Sequence, residues 1–289
     1  METEFKKFLR KNYHAPSTIH IYTSIIRKIR RENRALNKFN YREVIGMLGK
    51  ERKEVHGAHH KQTTIAALKR YYTFLNYQGI RDDHPCLTLS LKHKSPKEII
   101  SSDLFSMNEL SLLFNREERY PILKFRNKVL FSLMVFQGLT PLEIVKLKVG
   151  NIVLDKGFIQ IPGSRKLCKR KLAIDSLQMK WIACYLEIER PKLLCAPTEF
   201  LLLGKTGNPV SCDSLNYLVS TAKSLFPSKD LTAVSIRQSV IAYWMNELEI
   251  PLEQVQLMAG HKWISSTQRY LFHSVENDLK VLRRVHPMG

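Results

Sequence analysis

A mainly helical protein with a small β-sheet, divided into two domains, is the fold class that the 289 residues predict. Three observations lead there. Apolar residues recur at helical spacing along most of the chain. Clean alternation is confined to one short stretch, GFIQIPG at residues 157–163. The periodicity lapses between His84 and Phe105, where HPCLTLSLKHKSPKEIISSDLF carries prolines, serines and lysines. That lapse sets the predicted domains at residues 1–98, helical with a basic linker, and 99–289, α+β.

In the first domain, STIHIYTSIIRKIRREN places Ile19, Tyr22, Ile25, Ile26 and Ile29 on one helical face, with Ser17 as a plausible cap. TTIAALKRYYTFLNYQG repeats the pattern through Ile65, Leu68, Tyr72 and Leu75 and stops at Gly79. Aromatics at that spacing predict core. Beyond the linker, SMNELSLLF and ILKFRNKVLFSLMVFQG read as helices. GLTPLEI follows with Thr140 as N-cap, Pro141 in the first turn and Glu143 closing a capping box. GFIQIPG and KRKLAI form a hairpin across a basic turn, and FLLLGKTGNPV ends in a Gly-Asn-Pro turn. GKT there lacks the earlier glycine of a phosphate loop, because Glu199 stands in its place. Helices then follow at SLNYLVSTAKSLF, SIRQSVIAYWMNEL, PLEQVQLMAG and ENDLKVLRRV.

Charge narrows the partners. Lys and Arg number 46 against 26 Asp and Glu, a net of +20. Residues 1–100 hold 21 basic and 9 acidic residues, so over half the excess falls in the first third. Such a charge attracts nucleic acid or an acidic membrane surface. The longest apolar runs, such as LFSLMVF, are too short to span a bilayer, and the charged opening METEFKKFLRK predicts no secretory signal. Nucleic acid is the predicted partner, with no membrane. Cys86, Cys168, Cys184, Cys195 and Cys212 are odd in number and form no C-x-x-C pair, which predicts a reducing cytoplasm and no zinc site. His56, His59 and His60 in HGAHH read as surface histidines, so neither metal nor cofactor is expected.

The chemistry-bearing segment is QLMAGHKWISSTQRYLF. Gly260 ends a helix, His261 follows it, and Tyr270 lies nine residues on. Upstream, Arg237 stands near the start of an apolar helix. An arginine there pairs with an acid or points into a site.

These segments resemble the tyrosine recombinase (phage integrase) family. GHKWISSTQRY follows its G-H then T-x-x-Y pattern at full spacing. LTAVSIRQSVIAYWM resembles its H-x-L-R helix, GLTPLEIVKLKVGNI its G-L-R-x-x-E-L helix, and FIQIPGSRKLCKRKLAI its lysine-bearing hairpin. The first domain is similar to its core-binding helical domain, and residues 99–289 to its catalytic domain. The resemblance implies Tyr270 as nucleophile, Arg237 as the second arginine, His261 as a ligand of the phosphate or transition state, and Lys166 as the proton-donating lysine, with Lys169 the alternative. Glu143 matches the acid after the first arginine. Site-specific recombination or integration through a 3′-phosphotyrosyl intermediate is implied, with double-stranded DNA as the partner, in a tetramer on DNA joined through the tail after Tyr270, with accessory DNA-bending proteins as further partners.

Two positions depart from the pattern. Thr140 stands where the first arginine belongs, and Val234 where a histidine belongs three residues before Arg237. Removing one oxyanion donor slows a reaction by about 10²–10³. A second reading therefore stays open: a DNA-binding relative with impaired cleavage, acting as an architectural or regulatory factor. Lys146, Lys148, Arg126 and Arg165 are the expected candidates to replace the missing arginine.

Overall fold

The computed structural model describes residues 2–50, 58–91 and 99–271. His56, part of the basic linker and the whole tail beyond Leu271, with its predicted final helix, lie outside them. The chain forms two compact units, Met1–Ser95 and Pro96–Gly289.

The first unit holds α1 (Glu2–Lys11), α2 (Pro16–Glu32), α3 (Tyr41–Lys50) and α4 (Ala58–Tyr77). Ile19, Ile26 and Ile29 of α2 are buried with Leu68, Tyr71, Tyr72, Phe74 and Leu75 of α4. The aromatic run is core, as its spacing predicts. Buried Tyr72 donates its hydroxyl to the Leu36 carbonyl at 2.7 Å. Arg81 donates through Nε and Nη2 to Asp83, at 2.7 and 2.6 Å, and lies over the Tyr72 ring.

The second unit begins with α5 (Met107–Asn115), capped by Ser106 with Glu109 closing the box. Next come α6 (Lys124–Val135) and the single turn α7 (Pro141–Ile144). Helix α6 ends where Gly138 adopts φ +58°. There the Leu139 N–H reaches back to the Leu133 carbonyl at 3.2 Å, an ending that left-handed glycine permits.

Strands β1 (Ile152–Val153), β2 (Phe158–Ile161) and β3 (Arg170–Ala173) make an antiparallel sheet in the order β1-β2-β3. The predicted hairpin is β2–β3. Its register sets Ile159 opposite Leu172 and Ile161 opposite Arg170. Residues facing each other across a ladder share a sheet face, so Arg170 lies on the same face as the buried Ile159, Ile161 and Leu172.

Helix α2 begins at Pro16 with Ala15 as its N-cap, so Ser17 lies inside the helix instead of capping it; proline's fixed φ suits the first helical position. Three further features depart from the sequence reading. The short β1 strand is additional. FLLLGKTGNPV forms isolated bridges, Lys148 with Phe200 and Leu203 with Pro209, rather than a strand. Between sheet and bridges runs α8 (Ser176–Cys184), a π-helical turn at Tyr185–Glu189 and α9 (Arg190–Leu193). Pro191 near the start of α9 has no N–H to give to the preceding turn, which accounts for the wider winding before it.

The remaining helices are α10 (Cys212–Thr221), α11 (Ala233–Asn246), α12 (Leu252–Ala259) and α13 (Ser265–Gln268). Helix α11 lies in the core through Ile236, Val240, Ile241 and Trp244. The core polar residues Gln137 and Gln178 bond amide to amide in both directions, at 2.8 and 2.9 Å, and Gln137 also donates to the Ala173 carbonyl. That bond ties the end of α6 to β3.

Candidate active site

Thr140 is a cap in full. Its hydroxyl accepts from the Glu143 N–H at 3.3 Å, and its own N–H and hydroxyl donate to Glu143 Oε2 at 2.9 and 2.8 Å. Glu143 is 3% exposed. Its other oxygen, Oε1, accepts from Arg170 Nη1 at 2.6 Å, while Arg237 Nη1 stands 3.9 Å from Oε2. Burial pushes the Glu143 carboxyl upward, but Arg170 and the Thr140 bonds outweigh it and hold the group below its ordinary value.

Arg237 enters from the first half of α11. Its Nη1 donates to the Gly138 carbonyl and its Nη2 to the Ala259 carbonyl at 2.7 Å. Two helix ends therefore fix its plane. Burial lowers its pKa, and the Glu143 carboxylate works against that shift.

Gly260 closes α12 at φ +71°, and His261 follows on the turn to α13. His261 Nδ1 and Thr267 Oγ1 lie 2.9 Å apart, and the imidazole stacks on the Tyr270 ring at 6.3 Å and 17°. Burial, then the charges of Arg237 and Arg170, push the His261 pKa down to about 4, so it is neutral at pH 7. Tyr270 is 8% exposed; burial raises its pKa, against the pull of Arg237 and Arg269. Its carbonyl accepts from Asn246 Nδ2 at 2.8 Å.

The hairpin loop docks on this turn through its backbone. Leu167 pairs with His261 in an antiparallel bridge, and the Cys168 N–H donates to the Gly260 carbonyl at 2.8 Å. Lys166 is thereby brought next to the bridge, with its side chain exposed, as is that of Lys169. Arg237, His261 and Tyr270 thus converge with Glu143, and Lys166 sits on the loop beside them. Val234 is 65% exposed on the first turn of α11 and adds no polar group.

Two of the candidates to replace the missing arginine are engaged by other groups. Lys148 pairs with Glu199 at 2.6 Å, and buried Arg126 is directed to the Leu203 carbonyl and Asn127. Lys146 is exposed, and so is Arg165, which stands next to Lys166 on the hairpin loop. The residue that sequence reasoning missed is Arg170. Its signal was present, because counting inward by twos from buried Leu172 reaches it.

A helical protein with a small antiparallel sheet has thus gathered a tyrosine, a histidine and a clamped arginine at the ends of three helices. Residues 105–277 match the phage integrase family, and the chain belongs to that family, the tyrosine recombinases. It is 25% identical over 219 residues to tyrosine recombinase XerC of Lactobacillus leichmannii, covering 74% of this chain and 72% of that protein. It is 26% identical over 250 residues to tyrosine recombinase XerD of Listeria innocua serovar 6a, covering 85% and 82%. Its fold is similar to that of XerH site-specific recombinase bound to difH substrate in a pre-cleavage complex. That match has a TM-score of 0.71 and 16% identity, covering 97% of this chain and 84% of the other.

Proposed function

We propose that this protein cuts and rejoins duplex DNA at specific sites with Tyr270 as nucleophile. The observation that carries this reading is the convergence of Tyr270, His261 and Arg237 on one largely buried place beside the exposed hairpin loop. The Tyr270 oxygen attacks a backbone phosphorus, forming a 3′-phosphotyrosyl bond as the bond to the 5′-oxygen breaks. The covalent link conserves the bond energy, so rejoining needs no nucleotide. Arg237, fixed by two carbonyls, can hold a phosphoryl oxygen with its remaining donors. Neutral His261, oriented by Thr267, can take the tyrosine proton or donate to the phosphate, according to its tautomer. Lys166 supplies the proton to the departing 5′-oxygen, with Lys169 the alternative.

The first unit is the core-binding domain in this reading. Arg27, Arg30, Arg31 and Arg34 line one side of a concavity in it, a surface suited to phosphates. The tail after Tyr270 docks on a neighbouring subunit, giving a tetramer on paired sites in the cytoplasm, with accessory DNA-bending proteins. The similar XerH structure is DNA-bound, and so is a lambda integrase dimer on a COC′ core site with a TM-score of 0.66 to this chain.

The engagement of Thr140 by Glu143 and the solvent-facing valine at 234 favour the other reading, a binder that does not cut. Covalent trapping separates the two. Nicked duplexes from the DNA flanking the gene are incubated with the unaltered protein and with Tyr270→Phe, then resolved on denaturing gels. An adduct that disappears in Tyr270→Phe is expected; firm binding without any adduct would leave only the binder.

A further inference from the structure

The charges in the site do not balance. Two guanidiniums, Arg170 and Arg237, share the single carboxylate of Glu143, one on each oxygen. The Arg170 side chain is only 5% exposed. Its Nη1 is spent on Glu143 and, at 3.4 Å, on the Cys168 carbonyl, whereas its Nε and Nη2 are buried without any partner. Buried donors are ordinarily satisfied, and an unpaired pair on a cation is expensive to keep. Nε and Nη2 form one edge of the guanidinium, the fork that grips two oxygens in parallel. Arg81 uses that edge on Asp83. In Arg170 the same edge is empty.

The surroundings leave room for this side chain. A Cβ at position 260 would lie 2.5 Å from Arg170 Nη1, 3.0 Å from Cζ and 3.2 Å from Cδ. Arg170 therefore passes against the backbone of the turn that presents His261, a path open only beside glycine.

Resting on the strand-cutting reading above, we infer that Arg170 is a catalytic residue, the guanidinium that position 140 lacks. It reaches the scissile phosphate across the sheet, from β3, instead of from the start of α7. Glu143 holds it by Nη1, and the Nε–Nη2 edge binds a non-bridging phosphoryl oxygen alongside Arg237, balancing the charge of the phosphorane as Tyr270 attacks. Thr140 is then released to be a cap.

The test uses duplexes enriched by the protein from a random-sequence pool, nicked at successive phosphates until the unaltered protein gives a Tyr270-dependent adduct. Arg170→Ala, Arg170→Lys and the control Lys192→Ala, an exposed cation on α9, are compared on that duplex and on one with a methylphosphonate at the cut position. The methyl group removes one negative oxygen, so the reaction no longer needs a second cation. Expected are near-normal DNA binding and thermal melting for Arg170→Lys, and adduct formation slower by about 10²–10³ on phosphodiester for both Arg170 variants. Recovery on methylphosphonate is expected, with Lys192→Ala unaffected throughout. Arg170→Lys keeps a cation for Glu143, so it decides the matter if Arg170→Ala melts early. Normal rates on phosphodiester, or a loss in folded Arg170→Lys that methylphosphonate does not restore, would overturn the role of Arg170 while leaving the strand-cutting reading standing. No adduct from the unaltered protein on any duplex would overturn both.

Discussion

Removing the Glu143 carboxylate should unfold the second unit far more easily than it disturbs the first. Glu143→Ala strands Arg170 and Arg237 as buried neighbours of like charge, and it also deletes the capping box of α7. Breaking a buried ion pair from one side is worth about 3–5 kcal/mol, and loss of a cap about 1 kcal/mol. The two losses share one side chain and do not add fully, so roughly 4 kcal/mol is the expected total. With a urea slope of about 2 kcal/mol per molar, the midpoint should fall by roughly 2 M. Glu143→Gln keeps an oxygen for Arg170 but no charge, and should fall about half as far. Tryptophan emission reads this cleanly, because Trp181, Trp244 and Trp263 all lie in the second unit. Since the pair is buried, the difference should persist at high salt. A midpoint unchanged in both variants, or a difference that vanishes with added salt, would refute the view of Glu143 as a desolvated hub.

Four shorter predictions complete the set. Gly260→Ala meets a left-handed backbone worth about 1–2 kcal/mol of strain and pushes Arg170 off Glu143, so melting temperature and adduct formation should fall together; loss of one without the other would separate the turn from the arginine. His261 has a folded pKa of about 4 against an ordinary 6.5, so its contribution to stability is complete above pH 6.5 and is lost as pH falls towards 4. Thermal melts across that range should slope less in His261→Asn. Lys166→Ala should slow cleavage by about 10²-fold or more, and a sulfur at the 5′-bridging position should restore it, because a thiolate leaves without a proton; the same pattern in Lys169→Ala instead would move the role there. DNA affinity should drop by about 10³ or more between 50 and 200 mM salt if six or more phosphates are contacted, as an anisotropy titration would show; a flat dependence would remove the basic face from the interface.

What the sequence made legible was whatever local chemistry determines. Ser106 and Thr140 cap their helices because the T-x-x-E type box is complete within four residues. Gly260 ends α12, and Ile159 and Ile161 are buried by simple alternation. Tyr270, His261 and Arg237 were found through spacing, and their convergence needed the fold. Arg170 escaped because it stands in a run of basic residues: alternation from Leu172 gives its face, but its partner Glu143 lies 27 residues away. Lys148 was misleading for the same reason, since its partner Glu199 is 51 residues away. The π-helical turn needed knowledge that α8 continues to Pro191, which no apolar stripe announces.

Glu143 carries a consequence for how such a chain can drift through substitution. One carboxylate closes the start of a four-residue helix, neutralises a strand arginine and faces a helix arginine. Aspartate would fall short of the cap, glutamine would lose the charge, and alanine would lose everything. The position is locked by three unrelated demands. Thr140 answers to only one of them, the cap, which serine, asparagine or aspartate meets about as well. Variation should therefore accumulate around a fixed acid, with the cations approaching it free to change their point of origin.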